Sequence, residues 1–534
     1  MSLLKQVGSI GSLTMVSRIA GMAREMIFSR VLGANAVTDA WFQAFIIPNV
    51  FRRLFAEGAF SAAFVPMFSK RLHGDGGQES ARSFSDDVLS IFLPVLILLC
   101  AVMMIAMPGV IWLLADKPID PGEFDMAVAF ARIMFPYILL VSLVTLFTGM
   151  LNSVSRFAPG ASFPIILNLV LIAALLGSEY AASNLGWDVE RVGFAVAWAV
   201  PIAGLLQFAW LYIWTRVEGF RPRVLWPRIT PEVKRLSIIA LPAAIGGGAY
   251  QINTLVQLYF LNQLYDGSVS HMNYADRLNQ LPLGIIGIAL STAILPTLSK
   301  FVGGNNKEGA DRIQSDAIEL SMLLTIPAAV AMAICATPFI TMIFQSGRFT
   351  IEDATAAGAV LGVLVLGLPA YVLVKVLVPN FYARSDTRTP VYAAFISLVV
   401  FVISCVWNIG VSLPSFEIEP LGFGVPGIAA ASVIGAWINV GYLYAVLVKR
   451  GYYTIPLALV GRVARQLIAA AAMGAALWFA RDLLTGWYSA GLFARLGALL
   501  VLVGCSAVVY FGVAFAVGAI DRQRLAALTK KRVP

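Results

Sequence analysis

Residues 64–70, FVPMFSK, return as residues 294–300, ILPTLSK, with proline, serine and lysine all displaced by 230 positions. Working outward from this pair, further matches fall in the same order. Pro136-Tyr137 corresponds to Pro369-Ala370-Tyr371, 233 positions apart at the proline. Pro159 and Pro390, each after a short polar stretch holding Arg156 or Arg388, differ by 231, and Gly193 and Gly427 by 234. One match of this kind is noise. Four in order at a nearly constant offset read as an internal duplication.

The composition says what is duplicated. Of 534 residues 59% are hydrophobic and 13% charged, and mean hydropathy is +0.83. Soluble domains carry about a quarter charged residues, and a helix crossing a bilayer needs about 20 mainly apolar ones. Fourteen such stretches stand out, near 7–32, 36–66, 85–115, 126–152, 159–180, 192–214, 236–264, 273–298, 317–343, 355–382, 391–413, 425–448, 461–483 and 490–518. They are long and unbroken, unlike the short alternating segments of a barrel. The expected fold is therefore all-α and polytopic: about 14 transmembrane helices, with two six-helix lobes related by a parallel repeat and a C-terminal helix pair. An even number of helices per copy brings both in from the same side, related by an axis along the membrane normal. The expected division is 1–218 (helices 1–6), 219–235 (a cytoplasmic linker with a short surface-lying helix), 236–450 (helices 7–12) and 451–534 (helices 13–14 and a basic tail).

Of the 38 Lys and Arg, 25 fall in alternate loops and terminal segments and five in the intervening loops, leaving eight within spans. By the positive-inside rule both termini are expected to be cytoplasmic in a bacterial inner membrane. The net charge of +9 is thus a topology signal rather than a nucleic-acid footprint. No small-residue cleavage site follows the first apolar run, so the first helix is expected to stay as an anchor. Two histidines leave no basis for a metal site or a histidine-based triad. Cys100, Cys335, Cys405 and Cys505 lie far apart within apolar runs and read as small buried residues.

The eight basic residues within spans are Arg18, Arg24, Arg30, Arg52, Arg53, Arg132, Arg277 and Lys375, with Glu25, Asp39, Glu57 and Asp276 as acidic companions. A charge at mid-membrane costs at least about 2.5–3.5 kcal/mol, so it faces a hydrated cavity or an opposite charge. Arg30, Arg132 and Lys375 lie near helix ends, where snorkelling explains them. Arg53 and Glu57 are one turn apart, with Asp39 near the same face, which suggests a structural ion-pair group. Arg18 and Glu25 share a face two turns apart, and Ser17 shares that of Arg24. Arg24 and Arg52 have no evident local partner. Five of the eight basic residues crowd the first two helices, which implies a positive, water-filled pocket suited to phosphates gripped in bidentate fashion.

The stretches "SLTMVSRIAGMARE", "TDAWFQAFIIPNVFRRLFAEGAFSAAFVPMFSK" and "NYADRLNQLPLGIIGIALSTAILPTLSK" closely resemble the MurJ (MviN) family, proposed lipid II flippases of the multidrug/oligosaccharidyl-lipid/polysaccharide exporter superfamily. The resemblance covers nearly the whole chain. It implies a transporter rather than an enzyme, acting on lipid II, an undecaprenyl-pyrophosphate-linked disaccharide peptide, with no cofactor and no metal. It implies Arg18, Arg24, Arg52, Arg277 and Ser17 as substrate-binding positions and Asp39 and Glu57 as further functional acids. Arg53, Asp276 and Glu25 join these two as candidate gating or structural ion-pair residues. Gln280 stands where some relatives carry Glu. The seventh span lacks the carboxylate with which some relatives are thought to bind sodium.

On this reading the pyrophosphate is held by Arg24, Arg52 and Arg277 while the lobes rock between inward- and outward-open states. Asp39 and Asp276 then belong to an outer gate. The last two helices either line a groove for the polyprenyl tail or merely face lipid. Expected partners are lipid II, membrane lipids and proteins of wall synthesis and division, with no nucleic acid. No GxxxxGK[ST] loop is present, so the chain does not hydrolyse ATP by that route, and membrane potential or an ion gradient is left as the driving force. A drug/cation antiporter would need an acidic rather than basic cavity. A polyprenyl-phosphate enzyme would need a catalytic cluster, to which the acidic loop Asp116, Asp120, Glu123 and Asp125 comes nearest.

Overall fold

The computed structural model describes residues 3–55, 59–115, 121–413, 416–488 and 490–519. Glu57, Asp116 and Asp120 lie outside the described residues, as does the basic tail from 520. The chain packs as two compact units, Met1–Ser270 with Ser346–Phe349, and His271–Gln345 with Thr350–Pro534.

The first unit contains α1 (Leu3–Leu32), α2 (Ala36–Phe55), α3 (Ala59–Leu72), α4 (Gly77–Ala115), α5 (Pro121–Met134), α6 (Tyr137–Ser153), α7 (Ala158–Leu185), α8 (Val189–Val217) and α9 (Pro231–Leu261). Next, α10 (Ser268–Pro282) continues through a π-helical turn, Leu283–Gly287, into α11 (Ile288–Gly303). The second unit goes on with α12 (Lys307–Ile334), α13 (Ala336–Phe344), α14 (Ile351–Leu364), α15 (Leu368–Tyr382), α16 (Arg388–Ile409) and α17 (Gly424–Lys449). It ends with α18 (Leu457–Leu483), α19 (Thr485–Tyr488) and α20 (Leu492–Ala516). A hairpin pairing Val411–Leu413 with Phe416–Ile418 is the one sheet among the described residues.

Among the described residues, ten helical spans are long and apolar enough to cross a membrane. The four expected stretches that do not appear among them are 7–32, 36–66, 236–264 and 273–298, the first two of each copy. Charge explains two of these, since α1 carries Arg18, Arg24, Glu25 and Arg30 and α2 carries Asp39, Arg52 and Arg53. The 273–298 stretch is broken into the 15-residue α10, the π-helical turn and α11. Side chains 241–250 of the remaining stretch are outside the described ones.

The duplication is also written in the backbone. Ser155 and Ser385, 230 apart, are left-handed at φ 61° and 60°. The N–H of Ser155 donates to Asn152 O (3.0 Å) and that of Arg156 to Leu151 O (2.9 Å). Ser385 donates in the same way to Tyr382 O (2.9 Å) and Asp386 to Phe381 O (3.0 Å). The ends of α8 and α17 match as well, each closed by a left-handed glycine, Gly219 (φ 85°) and Gly451 (φ 65°). An ion pair ties the two places together within each copy, Arg156–Glu218 at 2.8 Å in the first and Asp386–Arg450 in the second. The polarity is reversed between them.

Gly193 and Gly427, matched from sequence, are both close-approach positions. A Cβ on Gly193 would meet Phe130 Cζ and Val37 Cγ1 at 2.8 Å, and one on Gly427 would meet Asn408 Oδ1 at 2.1 Å. Small residues admit such backbone proximity between membrane helices, where packing rather than water exclusion drives association. Part of the first unit's core is a ladder of rings, with Phe64 5.4 Å from Phe68 and 5.6 Å from Phe84, and Phe60 4.8 Å from Phe92.

One expectation fails in the linker. Residues 218–230 contain no helix. Pro222 and Pro227 each remove a backbone donor and push the preceding residue towards extended backbone. A helix resumes at Pro231, a first-turn proline behind the Thr230 cap.

Candidate functional site

α1 and α7 run parallel. Asn168 Nδ2 donates to Ser17 O (3.2 Å), and further along Arg30 Nε donates to Glu179 Oε1 (2.9 Å). A Cβ on Gly21 would lie 3.7 Å from Asn168 Nδ2, so α1 approaches α7 closely here. Sequence reasoning did not single out Asn168 or Glu179. The available signal was an amide and an acid within the apolar run of α7. Arg30 finds Glu179 where snorkelling alone was expected.

Between these contacts lies an ion pair within α1. Arg24 donates through Nη2 to Glu25, and their side chains are 11% and 2% exposed. Adjacent helical residues point about 100° apart, which is why sequence offered Arg24 no partner; the length of the arginine spans that angle. Removing one member of a buried pair strands the other charge at a cost of about 3–5 kcal/mol. A guanidinium has five N–H donors, and Glu25 engages one of its three nitrogens. Arg18 is exposed and makes no ion pair among the described residues, and Ser17 is half-buried beside it.

On α2, Arg52 is half-buried and donates from Nε to Asn49 Oδ1 at 3.1 Å. Asn49 Nδ2 donates in turn to Phe45 O (2.7 Å), which orients the amide. Arg53 is exposed and makes no ion pair among the described residues.

Asp39 is placed differently. Its Oδ2 accepts from Gly267 N (2.8 Å) and Val269 N (3.3 Å), and its Oδ1 from Ser270 N (2.8 Å) and the Ser270 hydroxyl. It therefore caps the first turn of α10, satisfying backbone donors with a negative charge at a helix N-terminus. Close by in the same unit, Arg348 N donates to Arg30 O (2.9 Å), and Gly33 meets Arg348 so tightly that a Cβ would lie 2.7 Å from its carbonyl oxygen.

In the second unit Arg277 and Asp276 are half-buried on α10, and Gln280 donates to Asp276 one turn on. The buried His271 contacts Asp353 at 3.1 Å, while Asp353 closes a capping box with Thr350 at the start of α14. Lys375 lies alongside the π-helical turn, its Cδ 2.9 Å from where a Cβ on Gly287 would be. That is seven residues inside the end of α15, deeper than a helix-end reading implies.

Within the first unit, then, α1 and α2 carry five arginines: Arg18 and Arg53 exposed, Arg30 exposed on Glu179, Arg52 half-buried on an amide and Arg24 half-buried on a carboxylate. Each guanidinium can donate charge-assisted N–H bonds to a phosphoryl oxygen, and such bonds shorten and strengthen where water is scarce.

Comparison with known proteins gives the family. The sequence profile of "Lipid II flippase MurJ" matches residues 28–499. A protein of Rhizobium meliloti (strain 1021) named "Probable lipid II flippase MurJ" is 40% identical over 522 residues, 97% of this chain and 94% of the relative. A solved structure titled "Lipid II flippase MurJ, inward closed conformation" superposes with a TM-score of 0.75 at 23% identity, covering 97% of this chain and 99% of that one. An inward-facing multidrug resistance MATE family transporter of the MOP superfamily gives a TM-score of 0.64 at 14% identity, over 83% of this chain and 98% of that one. The two structural likenesses speak for the fold.

Proposed function

The chain belongs to the lipid II flippase MurJ family, and from that premise we propose that its arginines grip the pyrophosphate of lipid II while the head group crosses the bilayer by alternating access. It is a multi-pass inner-membrane transporter of the peptidoglycan pathway and not an enzyme. The observation that carries the assignment is the match of the family profile across residues 28–499. The Arg24–Glu25 pair, with side chains 11% and 2% exposed, is the charge that α1 sets among apolar spans. A lipid-embedded scaffold gains nothing from a half-buried guanidinium, whose insertion is costly.

In this reading Arg24 and Arg52 are the principal phosphate ligands, Arg18 and Ser17 lie at the edge of the site, and Arg277 is a further ligand. Glu25 holds Arg24 in place until phosphate competes for it. Asp39 and Asp276, with Arg53 and Glu57, belong to the elements that change between states, Asp39 through its hold on the first turn of α10. Fourteen crossings follow if the four remaining stretches span as well, giving two six-helix copies, the pair α18 and α20, and both termini in the cytoplasm. The polyprenyl tail stays in lipid beside that pair. Division and wall-synthesis proteins are the expected neighbours, and membrane potential or an ion gradient the driving force.

The test is conditional depletion, followed by measuring how much lipid II can be reached from the periplasmic side. Depletion leaves lipid II out of reach, and wild-type chain restores access. Unchanged access after depletion removes the assignment.

A further inference from the structure

The stretch between α8 and α9 has an unusual surface. Trp226 is 84% exposed and Ile229 78%, with Val224 and Leu225 exposed beside them. Arg221, Arg223 and Arg228 are exposed among these apolar side chains. The backbone, by contrast, is held. Asp86 Oδ1 on α4 accepts from Arg223 N at 2.8 Å, and one turn further Ser90 Oγ accepts from Arg228 N at 3.4 Å. Gln78 Nε2 donates to Glu218 O (3.2 Å), and Phe220 is buried, its ring 5.5 Å from that of Phe68. Two peptide N–H groups, those of Arg223 and Arg228, thus tie the proline-stiffened ribbon to α4, and the side chains stand outward.

We propose that this ribbon, residues 221–229, is a docking surface for anionic phospholipid headgroups, with Trp226 and Ile229 set at the boundary of headgroup and acyl chain. Two features commit it to lipid. The ribbon joins two membrane helices and is pinned to α4 at the point where its polar first turns give way to an apolar span, Gly77–Leu114, which holds it at headgroup depth. Its charge is also complementary to that surface. Of the nearby acids, Glu218 is taken by Arg156, Glu232 lies 3.7 Å from Arg71, and Asp86 lies 3.9 Å from Arg82, while Asp86 and Asp87 also attract Arg223 and Arg228 without pairing with them. None of the three arginines of the ribbon makes an ion pair among the described residues, and all three are exposed to lipid phosphates. Tryptophan and arginine are the side chains that settle at this interface, and each basic residue near an anionic surface is worth about 1 kcal/mol.

The test uses the full chain with a nitroxide at Trp226→Cys, in nanodiscs of phosphatidylcholine with or without phosphatidylglycerol, subtracting the signal of the unsubstituted chain. Collisions with oxygen should exceed those with a water-soluble nickel chelate, and the excess should grow with phosphatidylglycerol. Replacing Arg221, Arg223 and Arg228 with Gln should remove that growth. Phosphatidylglycerol retained in native mass spectrometry should fall by roughly fivefold per arginine. This second readout needs no label and stands if Trp226→Cys does not accumulate. Dominant nickel collisions in both lipids, as expected if a soluble protein covers the ribbon, or equal phosphatidylglycerol retention by wild type and triple variant, would overturn the proposal.

Discussion

The corner pairs and the α1 pair use the same chemistry to different ends. Arg156–Glu218 and Asp386–Arg450 occupy matching backbone corners, both after a left-handed serine and both beside a left-handed glycine. The charges have exchanged places and the corner has survived, so a bond, and not a particular residue, is what the corner requires. Arg24–Glu25 has no such twin. The corresponding first helix of the second copy, α9, carries no Lys, Arg, Asp or Glu from Leu236 to its end at Leu261. A helix in that position folds without charge. What both copies keep is architecture, and what one copy alone carries into the membrane is available for work.

The sharpest way to break this contrast is Arg24→Ala, which should abolish complementation of a depleted strain. Arg24→Lys should recover only part of it, because an ammonium cannot reproduce the guanidinium fork. Full growth of both variants at normal abundance would place Arg24 with the corners. Arg52→Ala should reduce growth severely with protein level unchanged, a split that immunoblotting alongside complementation resolves.

Gly427→Ala probes architecture alone. Its Cβ would fall 2.1 Å from Asn408 Oδ1, and Asn408 already donates to Gly424 O (2.8 Å) and accepts from Phe423 N (3.1 Å). The expected loss is about 1–3 kcal/mol, read as a lower melting temperature and lower abundance, with activity per folded molecule retained.

Smaller still is the corner itself. Arg156 is 54% exposed, so Arg156→Ala should cost only about 0.2–1 kcal/mol. The exchange Arg156→Glu with Glu218→Arg should recover most of that loss, since the second copy already runs with reversed polarity. Thermal unfolding of the single and double variants decides it.

The Asp386 carboxyl is pushed up by burial, but hydrogen bonds from Thr389, Arg450 and the Arg388 N–H outweigh this and hold it at about 2. Its folded value lies below the unfolded one of about 3.9. The stability it contributes is therefore fully present above about pH 4 and is lost as pH falls through about 2. Asp386→Asn should lower the melting temperature near neutral pH, with the gap closing in strong acid; a gap independent of pH would contradict the assignment.

The repeat was legible because its markers are local: FVPMFSK and ILPTLSK, and two glycines whose necessity shows as close contacts. The charges of α1 and α2 were legible because an apolar background makes each one conspicuous. What escaped the sequence was long-range or angular. Asp39 grips backbone donors 228 to 231 positions away, and no local pattern announces that. Arg24 reaches the residue next to it, against the usual divergence of neighbours on a helix. α4 begins at Gly77, well before the apolar stretch expected from 85, because Gln78–Asp87 is polar and gives no hydrophobic signal. In the linker, the proline spacing argued against the short surface-lying helix expected there.

The most direct test of the central claim is the fraction of lipid II accessible from the periplasmic side in cells whose only copy of this protein carries Arg24→Ala. The protein must be present at wild-type level in the membrane. The account predicts accessibility as low as in depleted cells. Accessibility equal to wild type, with Arg24 gone and the protein intact, would contradict it.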